Sequence, residues 1–411
     1  MAYPQADIEC EMYMKLPKGL KIQGAQRSTH VLKLKKNIYG QKQAGRVWNK
    51  HLCQGLTNIG FKSSKVDDCV YYRGNVIFAF FVDDGLWFSP DAEAIDQAIK
   101  NLINGKKVGT KFDIEDRGDV TDYLGTNFEK LPDGRVLLSQ PHLIEQIIQD
   151  VKLPIAQRNR TTPATVTRIL QRDEDGESFD NRFNYRSVIG KLNYLEKGTR
   201  PAIAYAVHQV ARFSLDPKQS HAQAVDEQQK TKASFSIRTK KSFEVFADAD
   251  YSGKWFPKTV AFDSSTAKSR SGYVISIFGC PLIWQSKLQT QMALSTTEAE
   301  YIALSQSLRD TIPIMELTKE IHAHGFRHEY TSPKVKCKAI EDNMGALELS
   351  MVPKMRPRTK NINLVHHHFR EHVRNGDIIV ESISTENQIA DMLTKPLDQN
   401  TFQRLRRTAL H

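Results

Sequence analysis

Four carboxylates in the C-terminal half carry the sharpest chemical signal in this chain. Asp248 follows the apolar run Phe243–Ala247, and Asp342 follows Val335–Ile340. Glu300 lies in Thr297-Glu-Ala-Glu-Tyr-Ile-Ala303 and Asp391 in Gln388-Ile-Ala-Asp-Met-Leu393. The first two read as acids at strand ends, the last two as acids within helices. One sheet edge can gather such groups. Clustered carboxylates repel one another unless divalent cations neutralise them. Mg²⁺ prefers hard oxygen ligands, and two ions about 4 Å apart can hold the attacking and leaving oxygens of a phosphodiester. Taken singly, each acid also fits a helix cap or a turn former. A further acidic pair, Asp83-Asp84, follows the apolar run Val76–Val82.

The elements that must position these groups are legible in outline. Val76–Val82 and Leu86–Phe88 read as two strands joined by an Asp-Gly turn. Ala92–Ile103 and His142–Val151 have helical spacing, and so does Tyr185–Phe213 up to a break at Pro201. Ser242–Ala247, Gly272–Phe278 and Leu282–Gln285 read as strands, followed by a helix over Thr296–Ser307 and a second helix near Pro313. Val335–Ile340 and Ile378–Ile383 complete the strands. Asn343–Ser350, Ile362–Arg374 and Glu386–Thr394 are read as helices, the last ended by Pro396. Residues 226–242 lack apolar periodicity and read as a loop.

Composition narrows the function classes. The chain has 411 residues, 40% of them apolar, with 58 Lys+Arg against 47 Asp+Glu and a net charge of +11. Such a chain can bury real cores and has room for two or three domains. Its longest apolar run, Val76–Val82, is far short of the ~20 residues of a membrane span. The N-terminal stretch bears Asp7, Glu9 and Glu11 in place of an apolar signal. The expectation is an intracellular protein, cytoplasmic or nuclear, without a membrane partner. The basic surplus favours a polyanion such as nucleic acid. Five scattered cysteines, without a CxxC pair, fit a reducing compartment.

The motifs themselves carry a family likeness. Phe246-Ala-Asp-Ala-Asp-Tyr-Ser-Gly253, Ser269-Arg-Ser-Gly-Tyr273, Ile283-Trp-Gln-Ser-Lys287 and Leu294-Ser-Thr-Thr-Glu-Ala-Glu-Tyr-Ile-Ala303 occur in that order. With Glu341-Asp-Asn343 and Ala390-Asp-Met-Leu-Thr-Lys-Pro396, this array resembles the ribonuclease H domain of copia-type LTR retrotransposons. The resemblance implies a ribonuclease H fold, an Asp-Glu-Asp-Asp set at Asp248, Glu300, Asp342 and Asp391, and two Mg²⁺ ions, with Mn²⁺ as a substitute. Glu298 is the alternative for the glutamate and Asp250 for the first aspartate. The His that many ribonucleases H carry shortly before the fourth Asp is missing from Ser382–Gln388.

The N-terminal half resembles the reverse transcriptase of the same elements. Leu32 to Trp48 matches a fingers–palm block, Phe81-Val-Asp-Asp84 the polymerase metal-binding turn, and Asp122-Tyr-Leu-Gly125 and Leu138-Ser-Gln-Pro-His142 the segments after it. In the family a third polymerase carboxylate lies upstream of the segment matching Ala2–Met14, so primer extension by this chain alone is not expected. The family also carries an amphipathic helix where 226–242 is polar.

The resulting expectation is an α/β and α+β chain. A partial reverse-transcriptase palm and thumb over 1–153 is followed by a connection over 154–241. A ribonuclease H-like mixed-sheet domain spans 242–400, and a basic tail 401–411. Its activity would be hydrolysis of the RNA strand of RNA–DNA hybrids. Asp83 and Asp84 would be remnant metal ligands. Lys35, Lys36, Lys42 and Arg46, with Arg356, Arg358 and Lys360, would contact hybrid or template–primer phosphates. Two alternatives stay open: a non-catalytic nucleic-acid-binding remnant, and a polymerase completed by an upstream fragment. His366-His-His368 and Arg404, Arg406 and Arg407 are read as surface residues.

Overall fold

The computed structural model describes all residues except 106–110, 153–161, 165–169, 228–242, 254, 256–262, 327–333, 352–361, 363 and 411. The chain divides into two compact units. The first comprises Met1–Val120 with Leu317–Arg327, the second Thr121–Glu316 with His328–His411.

In the first unit, β1 (Tyr13–Lys15) and β2 (Val31–Lys33) form a small antiparallel pair. Helix α1 (Ala44–Asn58) is followed by an antiparallel four-stranded sheet of β3 (Lys62–Ser63), β4 (Val70–Arg73), β5 (Val76–Phe81) and β6 (Asp84–Phe88), and then by α2 (Ala92–Asn104). Val47, Trp48, Leu52 and Leu56 recur at helical spacing along α1 and pack with Phe61, Phe78, Phe80 and Phe112. Asp91 caps α2 by accepting from the Glu93 and Ala94 amides.

The β5–β6 hairpin is the expected one, but its turn is placed differently. Phe81 pairs with Asp84, so Val82 and Asp83 form the two-residue loop and Gly85 already lies in β6. Val82 takes the left-handed conformation, φ 58°, which a two-residue hairpin loop needs at its first position. The Trp48 indole N–H holds the turn by donating to the Val82 carbonyl at 2.6 Å.

The second unit begins with a three-stranded antiparallel sheet, β7 (Asp122–Tyr123), β8 (Thr126–Lys130) and β9 (Val136–Ser139), and helix α3 (Pro141–Val151). A helical layer follows: α4 (Tyr185–Thr199), α5 (Ala204–Ala211) and α6 (Gln219–Glu227). Pro201 opens a short 3-10 turn between α4 and α5, at the expected break. Val188, Ile189, Leu192, Val207 and Val210 join Ile147 and Val151 in its core. Most of the 226–242 stretch lies outside the described residues.

The remaining elements are β10 (Phe243–Asp250), β11 (Arg270–Ile277), β12 (Cys280–Leu288), α7 (Thr296–Ala323), β13 (Cys337–Glu341), α8 (Met344–Met351), α9 (Arg370–Arg374), β14 (Ile378–Ser382), α10 (Asp391–Thr394) and α11 (Gln399–Leu410). Their sheet has the order β12-β11-β10-β13-β14. β10, β11 and β12 pair antiparallel, while β13 lies parallel to both β10 and β14. This is the ribonuclease H-like mixed sheet. The alternation of strand side chains explains its two cores. Val245, Ala247, Tyr273 and Ile275 pack with Tyr301, Leu304 and Leu308 of α7. Phe246, Val274 and Trp284 pack with Leu393, Phe402 and Leu405, and with Ala202 and Ala204.

Three sequence readings are corrected here. Thr296–Ala323 is one helix with Pro313 inside it, not two. An interior proline costs about 3 kcal/mol, but Ile312, Ile314 and the buried Met315 beside it pack on the α7 core. Ile362–Arg374 is not a continuous helix: a 3-10 turn at Leu364–His367 precedes α9. The C-terminal stretch read as a basic tail forms α11, which buries Phe402, Leu405, Ala409 and Leu410 on one face. Among the described residues no helix is long and apolar enough to cross a membrane.

Candidate metal centre

Asp248, Glu300 and Asp342 converge. One carboxylate oxygen from each lies within 4.8 Å of the other two. Asp248 sits inside β10, two residues before the strand ends, because the ladder to β11 continues to Asp250. Glu300 projects from the first turns of α7. Asp342 follows β13 directly. Its backbone is fixed on both sides: the Asn343 amide donates to Glu341 Oε1 at 3.1 Å, and Asn343 Oδ1 accepts from the Ala346 amide at the start of α8.

Asp391 is the first residue of α10, not an interior position of a longer helix. It is buried, and its charge helps to raise the Asp248 carboxyl. The Thr394 hydroxyl, one turn on, donates to Asp248 Oδ2. Gln388 fastens the preceding loop to β10, its Nε2 donating to the Ala247 carbonyl at 2.8 Å. Lys395 Nζ lies 2.8 Å from Asp391 Oδ1.

The electrostatics are those of buried like charges. Burial, then the Asp391 charge, holds the Asp248 carboxyl up to about 7. Burial, then the charges of Asp248, Glu341 and Asp342, pushes Glu300 higher still, to about 11. Burial also raises Asp391, against the pull of Lys395. Glu341, fully buried, is raised well above the ordinary glutamate value, chiefly by burial. Glu300 Oε2 and Asp342 Oδ1 are buried without a hydrogen-bond partner. Oxygens left so are costly, and a hard divalent cation satisfies that donor set.

The two alternatives fall elsewhere. Glu298 completes a cap at the start of α7: its amide donates to Ser295 Oγ, and its carboxylate accepts from the Leu294 amide at 2.8 Å. Asp250 stands opposite Arg270 in the β10–β11 ladder.

The N-terminal candidates are arranged differently. Asp83 and Asp84 are exposed, and Asp83 Oδ2 accepts from the Tyr39 hydroxyl at 2.7 Å. Neither joins a three-ligand group among the described residues. Lys36 pairs with Asp7 at 2.7 Å and Arg46 with Glu9 at 2.9 Å, while Lys35 and Lys42 are exposed. Arg356, Arg358 and Lys360 lie outside the described residues. His367 bonds the Tyr301 hydroxyl through Nδ1 at 2.8 Å. Sequence reasoning gave no role to Thr394, Lys395, Gly272 or Glu341. All four lie within quoted motifs, but only the fold shows that they surround one site.

Comparison with known proteins agrees with this architecture. The family described as reverse transcriptase (RNA-dependent DNA polymerase) matches residues 1–166. The Retrovirus-related Pol polyprotein from transposon TNT 1-94 of Nicotiana tabacum is 31% identical over 417 residues, covering 98% of this chain and 30% of the relative. The corresponding polyprotein from transposon RE1 of Arabidopsis thaliana is 30% identical, covering 98% of this chain and 26% of the relative. The chain thus spans less than a third of the length of these relatives. A putative transposon Ty5-1 protein of Saccharomyces cerevisiae is 26% identical over 75% of this chain and 98% of its own length. Both plant polyproteins align along nearly all of this chain, across the reverse-transcriptase segment and the carboxylate-bearing sheet alike. These comparisons support a copia-type retrotransposon Pol fragment.

Proposed function

We propose that the second unit hydrolyses the RNA strand of RNA–DNA hybrids with divalent cations, Mg²⁺ above all, at Asp248, Glu300, Asp342 and Asp391. The observation that carries this reading is the three-carboxylate group with two partnerless buried oxygens, on Glu300 and Asp342. When bound, the cations supply Lewis acidity that lowers the pKa of an attacking water and neutralises charge on the departing 3′ oxygen. The chain's own residues do the positioning. Thr394 orients Asp248 by its hydroxyl bond, and Asn343 fixes the backbone that carries Asp342. The P–O3′ bond breaks, leaving a 5′-phosphate and a 3′-hydroxyl. Ribose 2′-hydroxyls distinguish the RNA strand from the DNA strand, and the +11 charge favours the polyanion. Lys35, Lys36, Lys42 and Arg46, with Arg356, Arg358 and Lys360, are the residues assigned to phosphate contact.

The test is hybrid cleavage by the purified chain with Mg²⁺ and with EDTA. Mg²⁺-dependent cleavage of the RNA strand alone is expected. Failure to cleave, with hybrid still bound, would favour the non-catalytic remnant. For the Asp83-Asp84 turn we infer no independent polymerase activity, since Asp83 is engaged by Tyr39 and no third ligand joins the pair among the described residues. Primer extension on a template with dNTPs tests that inference, and robust elongation by the chain alone refutes it.

A further inference from the structure

Two arginines approach each other beside helix α11. Arg200 is the C-cap of α4, immediately before the Pro201 turn. Ala202 of that turn shares one buried core with Phe402, Leu405, Ala409 and Leu410 of α11. Arg406 stands four residues after Phe402 and four before Leu410, so it lies in a row of α11 that faces this core. Both arginines are half-buried. Burial, then the Arg406 charge, depresses the Arg200 guanidinium, and no carboxylate offsets either effect. Among the described residues neither guanidinium has an ion pair. Other arginines of these helices are balanced or lie in water. Arg212, just beyond α5, has Asp263 Oδ2 at 3.2 Å. Arg404 donates to the Glu386 carbonyl at 2.5 Å, and Arg407 is exposed.

Fold stability does not account for this arrangement. A cation at a helix C-terminus is favourable, which suits Arg200 by itself. A long stem can lie on apolar surface with its charged head in water, which suits Arg406 by itself. Neither reason brings one guanidinium to the other, and like charges repel more strongly where water is partly excluded. An anion held between them converts that repulsion into attraction. Each guanidinium presents a planar fork of donors that matches the oxygens of a phosphate. We propose that Arg200 and Arg406 together clamp one backbone phosphate of the bound nucleic acid, at a contact separate from the carboxylate group. This rests on the nucleic-acid reading given above but not on the hydrolytic chemistry. It gives the connection and the last helix of the chain one arm each of the same clamp.

The experiment is fluorescence anisotropy of a labelled RNA–DNA hybrid bound by the full chain in EDTA, repeated over a series of salt concentrations. Arg200→Gln and Arg406→Gln should each weaken binding about tenfold. Each should also lower the slope of log affinity against log salt by about 1. The double variant should lose little more than either single one, because one phosphate serves both arms. Arg407→Gln, one residue on and exposed, should change binding far less. Thermal melts without nucleic acid establish that each variant is folded, and the paired single variants guard against misfolding of either. Unchanged binding in a folded single variant, additive losses in the double variant, or an equal loss in Arg407→Gln overturns the proposal. Hybrid that is bound but left intact with Mg²⁺ overturns the hydrolase reading instead and leaves the clamp standing.

Discussion

Gly272 lies against Thr394: a Cβ on Gly272 would stand 2.6 Å from Thr394 Cγ2 and 2.8 Å from Leu393 Cβ. Gly272 is also the ladder partner of Asp248. The missing side chain lets α10 press onto the sheet where Thr394 can reach Asp248. Gly272→Ala should push α10 outward. Overpacking of this kind costs about 1–3 kcal/mol, and the cleavage rate should fall further than stability alone explains. Thermal melts beside a hybrid-cleavage assay check this, and a variant with unchanged melting and rate removes the role given to the close approach.

Asp248→Asn removes the carboxylate that touches both halves of the site. Cleavage should fall by more than the roughly 100-fold that loss of an outer partner of a metal ligand costs. The metal-free variant should melt higher than the wild type, because one of several mutually repelling buried charges is gone. Steady-state cleavage and melts in EDTA report the two effects separately. Retained cleavage sinks the assignment.

The pH dependence follows from the raised Asp248 pKa, about 7 against an ordinary 3.8. A carboxyl raised by folding contributes stability that is fully present below its unfolded value and is lost as pH rises through the folded one. The metal-free chain should therefore lose stability from this site between about pH 4 and pH 7. Metal ligation requires the deprotonated form and releases protons, so Mg²⁺ should raise the melting temperature more at pH 8 than at pH 6. Equal gains at the two pH values would contradict the electrostatic account.

In the first unit, Trp48→Phe keeps most of the packing but loses the indole bond to the Val82 carbonyl. A loss of about 0.5–1.5 kcal/mol is expected, against about 3–5 kcal/mol for Trp48→Ala. Urea unfolding followed by circular dichroism separates these values. Comparable losses for the two substitutions would show that the hydrogen bond, not the buried ring, dominates at this position.

The β5–β6 hairpin and the five strands β10–β14 were legible, because their apolar runs are bounded by turn residues, whereas the shorter β1–β4 and β7–β9 were not read. The run Val76–Val82 became β5 with its turn shifted by Val82, whose positive φ no propensity signals. The long α7 was hidden by Pro313, whose local cost is outweighed by packing on the sheet. Helix α11 was hidden by its arginines, since four buried apolar residues are spread among them. Three of the four acids in the site were brought within one ligand distance. The cap formed by Ser295 and Glu298, which separates Glu298 from Glu300, is a sequence pattern that could have been read directly. The pairing of Lys395 with Asp391 is a local i,i+4 contact, yet its meaning depends on Asp248 far away in sequence.

The parallel pairing of β10 with β13 sets the order in which this site can form. Phe243 pairs with Cys337, roughly 90 residues on, and closing so long a loop is slow beside forming the β10–β12 meander. Asp391 lies later still in the chain. A ribosome making this protein releases the meander first, with Asp248 already in place but without its partner acids. Asp342 follows β13, so the three-carboxylate group is complete only once β13 has paired with β10. The nascent chain therefore gathers no compact cluster of negative charge until the scaffold that must bear the repulsion has been built.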